Sequence, residues 1–476
     1  MPATSSTTVD ADGSARVAFR SAAGLLWPAV VFLGLTLLRT HGISRTFWLL
    51  GDQILYWRIA LGSWRDLPIG GGPSSVGGTT LGPVFCWTLW AIRHLVGPWC
   101  DNLPHAGGIG LSICQSAADA LLFAALWRYT SSLALALAFT LFVATAPFDL
   151  ALSATIWNPP LAVAFVKTSL AVVLLGGRDP SAKWDAAAAA PALLAVQAHS
   201  SAVFFAAPLI SSLVARPLVA RRWREAGRRV VVIATVVLVL EAPFLADLVA
   251  HSGHSTSPAV VVSSVSYILS HPAALRPMAS FGAVVAACAR ILFQPATLPW
   301  AGALFVACLI LAGIRVRHDL TIVMAAVAPP CCAVIGFAFW RLPYDDYWFM
   351  CIVPCVALSA ALAFTLSRAA VSAGALVLLT AATLATPARI ATANRLFHLP
   401  EYEPLVAGSR LIRRRAPQIR SLDTVFALPP STDPLFVYEI LGGRIADGAS
   451  FTATIRADGS VKFEEATAGS SGGDHH

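Results

Sequence analysis

A polar stretch follows the first long apolar run of the chain. It spans residues 41–85 and reads HGISRTFWLLGDQILYWRIALGSWRDLPIGGGPSSVGGTTLGPVF. After Asp52, apolar and aromatic residues recur at helical spacing, at Leu55, Tyr56, Ile59, Ala60 and Trp64. The other face of that helix carries Gln53, Arg58 and Arg65. The pattern predicts a short amphipathic helix in a membrane interface, with its Trp and Tyr side chains at the level of the lipid headgroups.

Asp52 stands at the start of this predicted helix. A carboxylate held at a membrane surface, directly after a transmembrane helix, is well placed to act as a base toward a lipid-borne substrate. The alternative is structural, because an Asp before a helix commonly serves only as its N-cap. Local sequence alone leaves both interpretations open.

Composition sets the class of protein. Hydrophobic residues make up 57% of the 476-residue chain and charged residues only 12%, whereas soluble domains carry about 25% charged residues. The composition predicts a polytopic α-helical membrane protein. The net charge of +8 comes mainly from arginine in loops, since the chain has only three lysines; this favours contact with anionic lipid and not with nucleic acid. The nine cysteines form no C-x-x-C pair or Cys/His cluster, so no zinc site or disulfide framework is predicted.

Arginine and lysine positions predict the topology. They place the N-terminus in the cytoplasm and the polar loops that lack arginine outside. Two of the apolar segments, 81–97 and 281–294, are short for a hydrocarbon core of about 30 Å. Treating both as re-entrant or interfacial leaves roughly eleven crossings and an external C-terminus. The apolar segments lie near 21–40, 81–97, 108–127, 131–148, 158–176, 186–198, 199–215, 229–249, 281–294, 298–314, 320–340, 347–366 and 370–388.

The domain organisation follows from these segments. A transmembrane domain over 21–390 contains a first outer loop at 41–80, and a broken hairpin with its tip at His199 joins segments 186–198 and 199–215. Residues 391–466 predict a small α/β domain, with a strand in SLDTVFAL (421–428), a helix in PLFVYEILGG (434–443) and a hairpin turning at 457–459. Residues 1–20 are expected to be disordered and 467–476 to form a flexible tail.

The first outer loop resembles that of the GT-C glycosyltransferases. The matching residues are Asp52, Tyr56, Ala60, Gly82 and Pro83. Protein O-mannosyltransferases and bacterial lipid A aminoarabinose transferases belong to this superfamily of polytopic enzymes, which take a sugar from a polyprenyl-phosphate carrier. The resemblance implies an all-α membrane protein of about 11–13 helices with the small α/β appendage. The usual family pattern has a second acid where this chain has Gln53, so no metal site is predicted, although a divalent cation (Mg²⁺ or Mn²⁺) stays compatible.

Polar residues in other outer loops are further candidates, because polar groups beside membrane segments are costly to keep. Asp149 and Asn158 lie in PFDLALSATIWNPP (147–160), and Gln197 and His199 lie in QAHSS (197–201). The resemblance implies a second acidic or polar residue in the first of these loops and a Gln-x-His at the tip of the broken hairpin. A helix cap at Asn158 and a structural role for His199 are the alternatives.

A fourth polar group lies in WRLPYDDYWFM (340–350). Arg341 in this loop could hold a lipid phosphate, because a guanidinium matches phosphate oxygens bidentately; an aromatic belt with an Arg–Asp pair is the alternative. Inside the predicted bilayer, Asp119 follows Gln115 by one turn, which interhelical hydrogen bonding explains more simply than catalysis. Glu241, near the outer end of segment 229–249, is ambiguous.

Together these residues predict an inverting membrane glycosyltransferase on the outer face of a bacterial inner membrane. Asp52 is the predicted base and Asp149 the second catalytic candidate. The expected partners are a polyprenyl-phosphate sugar donor, a lipid, polysaccharide or protein acceptor, and membrane lipids. The rival functions are a transporter or lipid flippase and a non-catalytic scaffold with the GT-C fold. The predicted substrate-binding residues are Tyr56, Arg58, Asn158, Gln197, His199, Arg341, Tyr344 and Asp345.

Overall fold

The structure is a computed structural model, and its described residues exclude several stretches of the chain. It describes residues 22–43, 51–71, 82–100, 103–176, 181–250, 276–293, 300–339, 346–396, 401–428 and 433–465. The predicted disordered N-terminus and flexible tail lie outside the described residues, as do Arg341, Tyr344 and Asp345. Asp52 lies in a described helix, but its side chain is outside the described part.

Helices form most of the described chain, as the composition predicts. They are α1 (Ala22–Thr40), α2 (Gly51–Ala60), α3 (Val84–Leu95), α4 (Leu103–Thr130), α5 (Leu133–Ala144), α6 (Pro147–Ser153), α7 (Asn158–Gly176), α8 (Ala182–Ala198), α9 (Val203–Val219), α10 (Trp223–Ala250), α11 (Pro277–Phe293), α12 (Ala301–Val316), α13 (Leu320–Ala338), α14 (Val353–Ala363), α15 (Arg368–Leu396), α16 (Tyr402–Arg415) and α17 (Pro434–Ile440).

The bundle has two chemically different ends. We call the end formed by residues 39–43, helix α2, and residues 144–158, 197–203 and 346–353 the site end. We call the opposite end the arginine end, because it carries Arg128, Arg216, Arg229, Arg315 and Arg368. In the described part of the chain, the helices that run between the two ends are α1, α4, α5, α7, α8, α9, α10, α12, α13, α14 and α15.

Not all of these eleven helices are long enough to cross a membrane, so the roughly eleven crossings stay a prediction. By length and composition, five described helices suffice to cross a membrane: α4, α7, α13, α15 and α9 together with the short 3-10 turn before it. Helices α5 and α6, bent by 67° at their junction, would make a sixth crossing. Helices α1, α11, α12 and α14 are shorter apolar helices. The protein is therefore a multi-pass membrane protein.

Helices α3 and α11 begin and end at the site end. Before α3, a Cβ on Gly82 would lie 2.5 Å from Cβ of Gln197, and at its other end Arg93 donates to the carbonyl of Ala60 at 3.1 Å. Before α11, the amide of Arg276 donates to the carbonyl of Ala338 at 3.2 Å. The far end of α11 also contacts the site end, because it carries Arg290, which pairs with Asp346. Neither helix runs to the arginine end, as their short apolar segments predict.

Helices α8 and α10 run side by side in the same direction. At the arginine end, Asp185 pairs with Arg229 at 3.0 Å. At the site end, Nε2 of Gln197 donates to the carbonyl of Leu240 at 2.7 Å. The two contacts are separated by about three helical turns on both helices, so the register of α8 against α10 is fixed at both ends.

Helix α13 contains a local irregularity that its sequence explains. Asp319 caps its first turn by accepting from the amides of Thr321 and Ile322 at 3.1 and 3.2 Å. Its middle forms a π-helical turn at Val323–Val327, directly before Pro329 and Pro330. Proline has no N–H and clashes with the carbonyl four residues earlier, and a wider turn at this position relieves both problems.

Helix α2 confirms the predicted helix after Asp52, but its faces differ from the prediction. The helix ends at Ala60, so Trp64 lies beyond it and is 66% exposed. Gln53, predicted on the polar face, is 2% exposed, whereas Leu55, predicted on the apolar face, is 40% exposed. The difference arises because α2 packs against protein, α3 above all, and so its orientation is not set by a lipid surface alone.

The C-terminal residues form the predicted small α/β unit. Strands β2 (Ser421–Thr424), β4 (Phe451–Ile455) and β5 (Val461–Glu465) make one sheet in the order β2-β4-β5, parallel between β2 and β4 and antiparallel between β4 and β5. The predicted hairpin turns at Gly459, whose φ of +78° favours glycine. A second, parallel pair joins β1 (Gln418–Ile419) to β3 (Arg444–Ile445).

This C-terminal unit contacts the site end of the bundle. Arg58 of α2 pairs with Asp433 at 2.6 Å, and its guanidinium lies 5.7 Å from the ring centre of Phe436. The rings of His105, at the start of α4, and Tyr402, at the start of α16, meet edge to face at 5.6 Å. The unit therefore stands on the same end of the bundle as the candidate residues.

Candidate functional site

Four charged side chains form a buried cluster just inside the site end. Arg39 of α1 contacts Asp119 of α4 at 2.5 Å and Asp149 of α6 at 3.1 Å. Lys167 of α7 contacts the same two carboxylates at 2.9 and 2.6 Å. No side chain of the four is more than 9% exposed. The cluster thus joins four helices and balances two positive charges against two negative ones.

Neighbouring polar groups add hydrogen bonds to the cluster, although Nε of Arg39 has no partner among the described residues. Nη1 of Arg39 donates to the Ser116 hydroxyl at 3.0 Å, and Nζ of Lys167 donates to Oε1 of Gln115 at 3.3 Å. The amide nitrogen of Gln115 in turn donates to the carbonyl of Pro160. A buried ion pair is stable only when its remaining donors and acceptors are satisfied, and these contacts supply most of the partners.

The cluster does not fit a divalent cation. Both carboxylates already have two cationic partners, which would repel an added metal ion. In the described part of the chain, no group of three His, Cys, Asp or Glu side chains could hold a metal ion. The described residues therefore provide no site for Mg²⁺ or Mn²⁺.

Sequence reasoning found Asp149 but missed both cations of the cluster. Interhelical hydrogen bonding was predicted for Asp119 and Gln115, and Asp119 is in addition ion-paired across helices to Arg39 and Lys167. One signal was present: Lys167 is one of three lysines in the chain and lies in an apolar segment. A charge in such a segment marks a paired or functional residue.

Residues from three predicted outer loops meet around His199. Nδ2 of Asn158 donates to the carbonyl of Ala198 at 2.8 Å, which fastens the start of α7 to the end of α8. His199 lies at the predicted break between α8 and α9, and its backbone is extended (φ −152°, ψ 125°). Its Nδ1 lies 2.7 Å from the hydroxyl of Ser201. Side chains of Asn158 and His199 are 5% and 4% exposed.

Aromatic rings surround the His199 imidazole. Tyr347 and Trp348, from the 3-10 turn Asp346–Phe349, lie 5.9 and 5.3 Å from it between ring centres. Trp157 lies 5.1 Å from Tyr347. Arg290 of α11 holds this turn in place through three contacts of 2.6 to 3.1 Å with the Asp346 carboxylate. The fourth predicted loop therefore reaches the site through residues that the structure describes.

The first loop reaches the same region through its far end. Gly82 approaches Gln197 so closely that any side chain at residue 82 would overlap it, which explains the Gly-Pro start of α3. Gln197 also lies beside Glu241 of α10, to which it is hydrogen-bonded. Gln197 therefore links α8, α10 and the end of the loop that carries Asp52.

The remaining predicted residues occupy different environments. Tyr56 is 6% exposed and meets the Phe85 ring edge to face at 4.8 Å, so its described contact is packing. Arg58 is an exposed residue paired with Asp433. The Asp52 side chain, Arg341, Tyr344 and Asp345 lie outside the described residues, and their roles stay predictions.

A large apolar cleft opens beside the site end. It has a volume of about 190 Å³ between α5, α11, α12, α14 and α15. Every lining residue is apolar, including Phe139, Phe142, Leu292 and Phe305. A smaller cavity of about 20 Å³ is also lined by residues of α5, α11 and α14, together with Asp149 and Lys167. The apolar cleft and the smaller cavity beside the charged cluster are therefore both lined by α5, α11 and α14.

Comparison with solved structures identifies the fold. The chain is similar to ArnT from Cupriavidus metallidurans in the apo state, with 14% identity and a TM-score of 0.53 over 90% of this chain and 87% of that one. ArnT bound to undecaprenyl phosphate gives 17% identity and a TM-score of 0.49 over 89% and 76%. The archaeal oligosaccharyltransferase AglB from Archaeoglobus fulgidus gives 13% and 0.49 over 90% and 65%. No protein-family model and no curated protein matches the sequence. The chain therefore shares its fold with ArnT, in agreement with the all-α membrane fold predicted from the sequence.

Proposed function

We propose that this protein is a membrane glycosyltransferase that moves a sugar from a polyprenyl-phosphate carrier to an acceptor hydroxyl. The observation that carries the proposal is the fold shared with ArnT over nearly the whole of both chains. Fold alone does not fix function, so the local arrangement must agree with it. Two features of the described residues support a glycosyltransferase function.

The first feature is the apolar cleft beside the site end. A polyprenyl chain requires an extended apolar surface, and a cleft lined only by apolar side chains from five helices provides one. A lipid tail lying among α5, α11 and α15 would bring its phosphate toward the site end. Positive charge there, from Arg341 or from the exposed Arg58, would stabilise the departing phosphate.

The second feature is the convergence of predicted residues at the site end. Asn158, Gln197 and His199 lie in contacts that connect α7, α8, α10 and the first loop. We assign them to the binding of the donor sugar and the acceptor, together with Tyr344 and Asp345. In the reaction, Asp52 takes the proton of the acceptor hydroxyl as that oxygen attacks the anomeric carbon. The bond from that carbon to the phosphate oxygen breaks, the anomeric configuration inverts, and polyprenyl phosphate leaves.

Asp149 has a different proposed part. Its carboxylate is shared between Arg39 and Lys167, so both of its oxygens already have an ionic partner. We therefore assign it a positioning role. By holding Arg39 it fixes the end of α1, which leads directly into the loop that carries Asp52.

The orientation of the protein follows from the same proposal. The arginine end faces the cytoplasm of a bacterial cell and the site end faces outward, because arginine is retained on the cytoplasmic side. The donor, a lipid, polysaccharide or protein acceptor, and membrane lipids are then the partners. A reporter fused after residue 465 should be active only when it is one that works outside the cytoplasm.

The test is transfer by the purified protein. Incubated in detergent with sugar-charged polyprenyl phosphates, the wild-type protein should release free polyprenyl phosphate. Asp52→Asn should lose more than about 99% of this activity while keeping its elution profile, because general-base catalysis contributes about 10²–10⁴-fold. Asp66→Asn is the matched control, since Asp66 lies in the same loop and, among the described residues, its carboxylate accepts from the backbone amide and the hydroxyl of Ser63. Full activity of Asp52→Asn would refute the base assignment, and movement of intact donor across a bilayer without release would favour the flippase.

A further inference from the structure

Helix α16 carries an arginine-rich surface that the proposed function does not use. Residues 410–420 read RLIRRRAPQIR, with five arginines and no acidic residue. The helix is amphipathic: Tyr402, Leu405 and Ile412 are buried, whereas Arg410, Leu411 and Arg414 are exposed. Arg410 and Arg414 are four residues apart and so share one face. In the described part of the chain, neither guanidinium forms an ion pair.

The other arginines of this helix behave differently. The guanidinium of Arg415 lies 4.7 Å from the ring centre of Phe463, in the sheet of the same unit. The side chain of Arg413 lies close to Gly442. These two arginines therefore pack on their own domain, and Arg410 and Arg414 are left as the outward pair, with Leu411 between them at 47% exposure.

The position of the helix places this pair near the membrane surface. Tyr402, at its start, packs against His105 in the first turn of α4, which is long and apolar enough to cross a membrane. Arg410 lies close enough to His105 to act on it electrostatically. Trp99, directly before α4, is 86% exposed, as expected of a tryptophan at the level of the headgroups. The start of α4 thus marks the interface, and α16 lies against it.

We propose that Arg410 and Arg414, with Leu411, bind anionic phospholipid headgroups at the site end and hold the C-terminal unit against the membrane. The charge of the pair suits a phosphate-bearing lipid surface, and an apolar side chain between two arginines suits insertion at the boundary of headgroups and acyl chains. This role needs no glycosyl transfer, so it stands or fails independently of the proposed function.

The test compares amide hydrogen exchange of the full-length protein in nanodiscs. The discs contain phosphatidylcholine alone or phosphatidylcholine with phosphatidylglycerol. We expect exchange in residues 409–415 of the wild-type protein to slow several-fold when phosphatidylglycerol is present, and added salt to remove the effect. The double variant Arg410→Gln/Arg414→Gln should lose the lipid dependence. Arg413→Gln/Arg415→Gln is the matched control, because it removes the same charge from the same helix and should keep the dependence.

Three results would overturn the proposal. The first is equal exchange in both lipids for the wild-type protein. The second is a phosphatidylglycerol effect that persists in the double variant. The third is protection by soluble dextran sulfate in phosphatidylcholine discs with none from phosphatidylglycerol, which would assign the pair to a soluble anionic polymer.

Discussion

Two buried cationic sites hold the bundle together in different ways. The first is the cluster in which Arg39 and Lys167 face two carboxylates. The second is Arg389 of α15, which is 1% exposed and has no carboxylate within ion-pair distance among the described residues. Its partners are neutral: it donates to the carbonyl of Phe142 at 2.8 Å, to the hydroxyl of Thr145 at 3.0 Å and to the carbonyl of Leu292.

The partners of Arg389 explain how it is tolerated without a counter-ion. Phe142 and Leu292 lie in the last turns of α5 and α11, where helix carbonyls have no intrahelical donor. The negative ends of two helix dipoles therefore face this guanidinium, and the Phe142 ring lies 4.6 Å from it. One site neutralises charge with charge and the other with helix ends. Substitutions at the two sites should therefore lower the free energy of unfolding by different amounts. They should also differ in whether a second substitution restores stability.

Lys167→Met should have the largest effect. It leaves Asp119 and Asp149 with one cation between them, and an uncompensated buried charge costs about 3–5 kcal/mol. The unfolding midpoint of the purified protein in detergent should fall accordingly. A midpoint within error of the wild type would show that the cluster contributes little.

The double variant Lys167→Met/Asp119→Asn is the control for this prediction. It restores the balance of charge, so it should recover a large part of the loss. If the double variant is no more stable than Lys167→Met, packing and not charge accounts for the effect of the lysine.

Arg389→Met should cost less, and no partner substitution should repair it. It leaves the carbonyls of Phe142 and Leu292 without this donor, at about 1–3 kcal/mol, while the Thr145 hydroxyl keeps its bond to the carbonyl of Leu141. The same unfolding measurement applies. Arg395→Met is the matched control, because Arg395 lies on the same helix, is exposed and, in the described part of the chain, donates to the carbonyl of Ala391 in its own helix. Equal losses in the two variants would contradict the helix-end account.

The contrast also explains which parts of the molecule the sequence could predict. The break at His199, the hairpin at Gly459 and the cap-and-proline start of α17 at Asp433 are local, and their residues are adjacent in the chain. The shortness of segments 81–97 and 281–294 likewise predicted helices that do not reach the arginine end.

The sites that the sequence did not predict combine residues from distant segments. The charged cluster draws on four helices, and Arg389 bonds to residues about one hundred and two hundred and fifty positions away. In the sequence, Arg39 resembled an ordinary basic residue at a helix end. Gln53 was predicted on a polar face, because the spacing of apolar residues within one helix does not show which other helices cover it. The roles of Asp52 and Arg341 stay predictions.

Arg58 and Asp433 form an exposed counterpart to the buried cluster, and their substitution should have a smaller effect. Their side chains are 55% and 33% exposed, and such pairs contribute about 0–1 kcal/mol. Asp433 has a second function, because its carboxylate accepts from the amides of Leu435 and Phe436 and so caps α17. In thermal unfolding, Asp433→Ala should therefore be less stable than Arg58→Ala by about 1 kcal/mol. Asp433→Asn keeps the cap and should match Arg58→Ala; if it matches Asp433→Ala instead, the cap is not the cause.

Lys462 and Glu464, on β5, should give the smallest effect, since both side chains are 56% exposed. A hydrogen bond from Lys462, and then its charge, lowers the pKa of Glu464 from its usual 4.5. Because the folded pKa lies below the unfolded one, the pair stabilises the sheet above pH 4.5 and loses that contribution as the pH falls through the folded pKa. Lys462→Met should therefore speed amide exchange in 451–465 slightly at neutral pH and match the wild type in acid. A difference that persists unchanged in acid would mean that the lysine acts through its aliphatic chain, and that even the most exposed ion pair here is a packing contact.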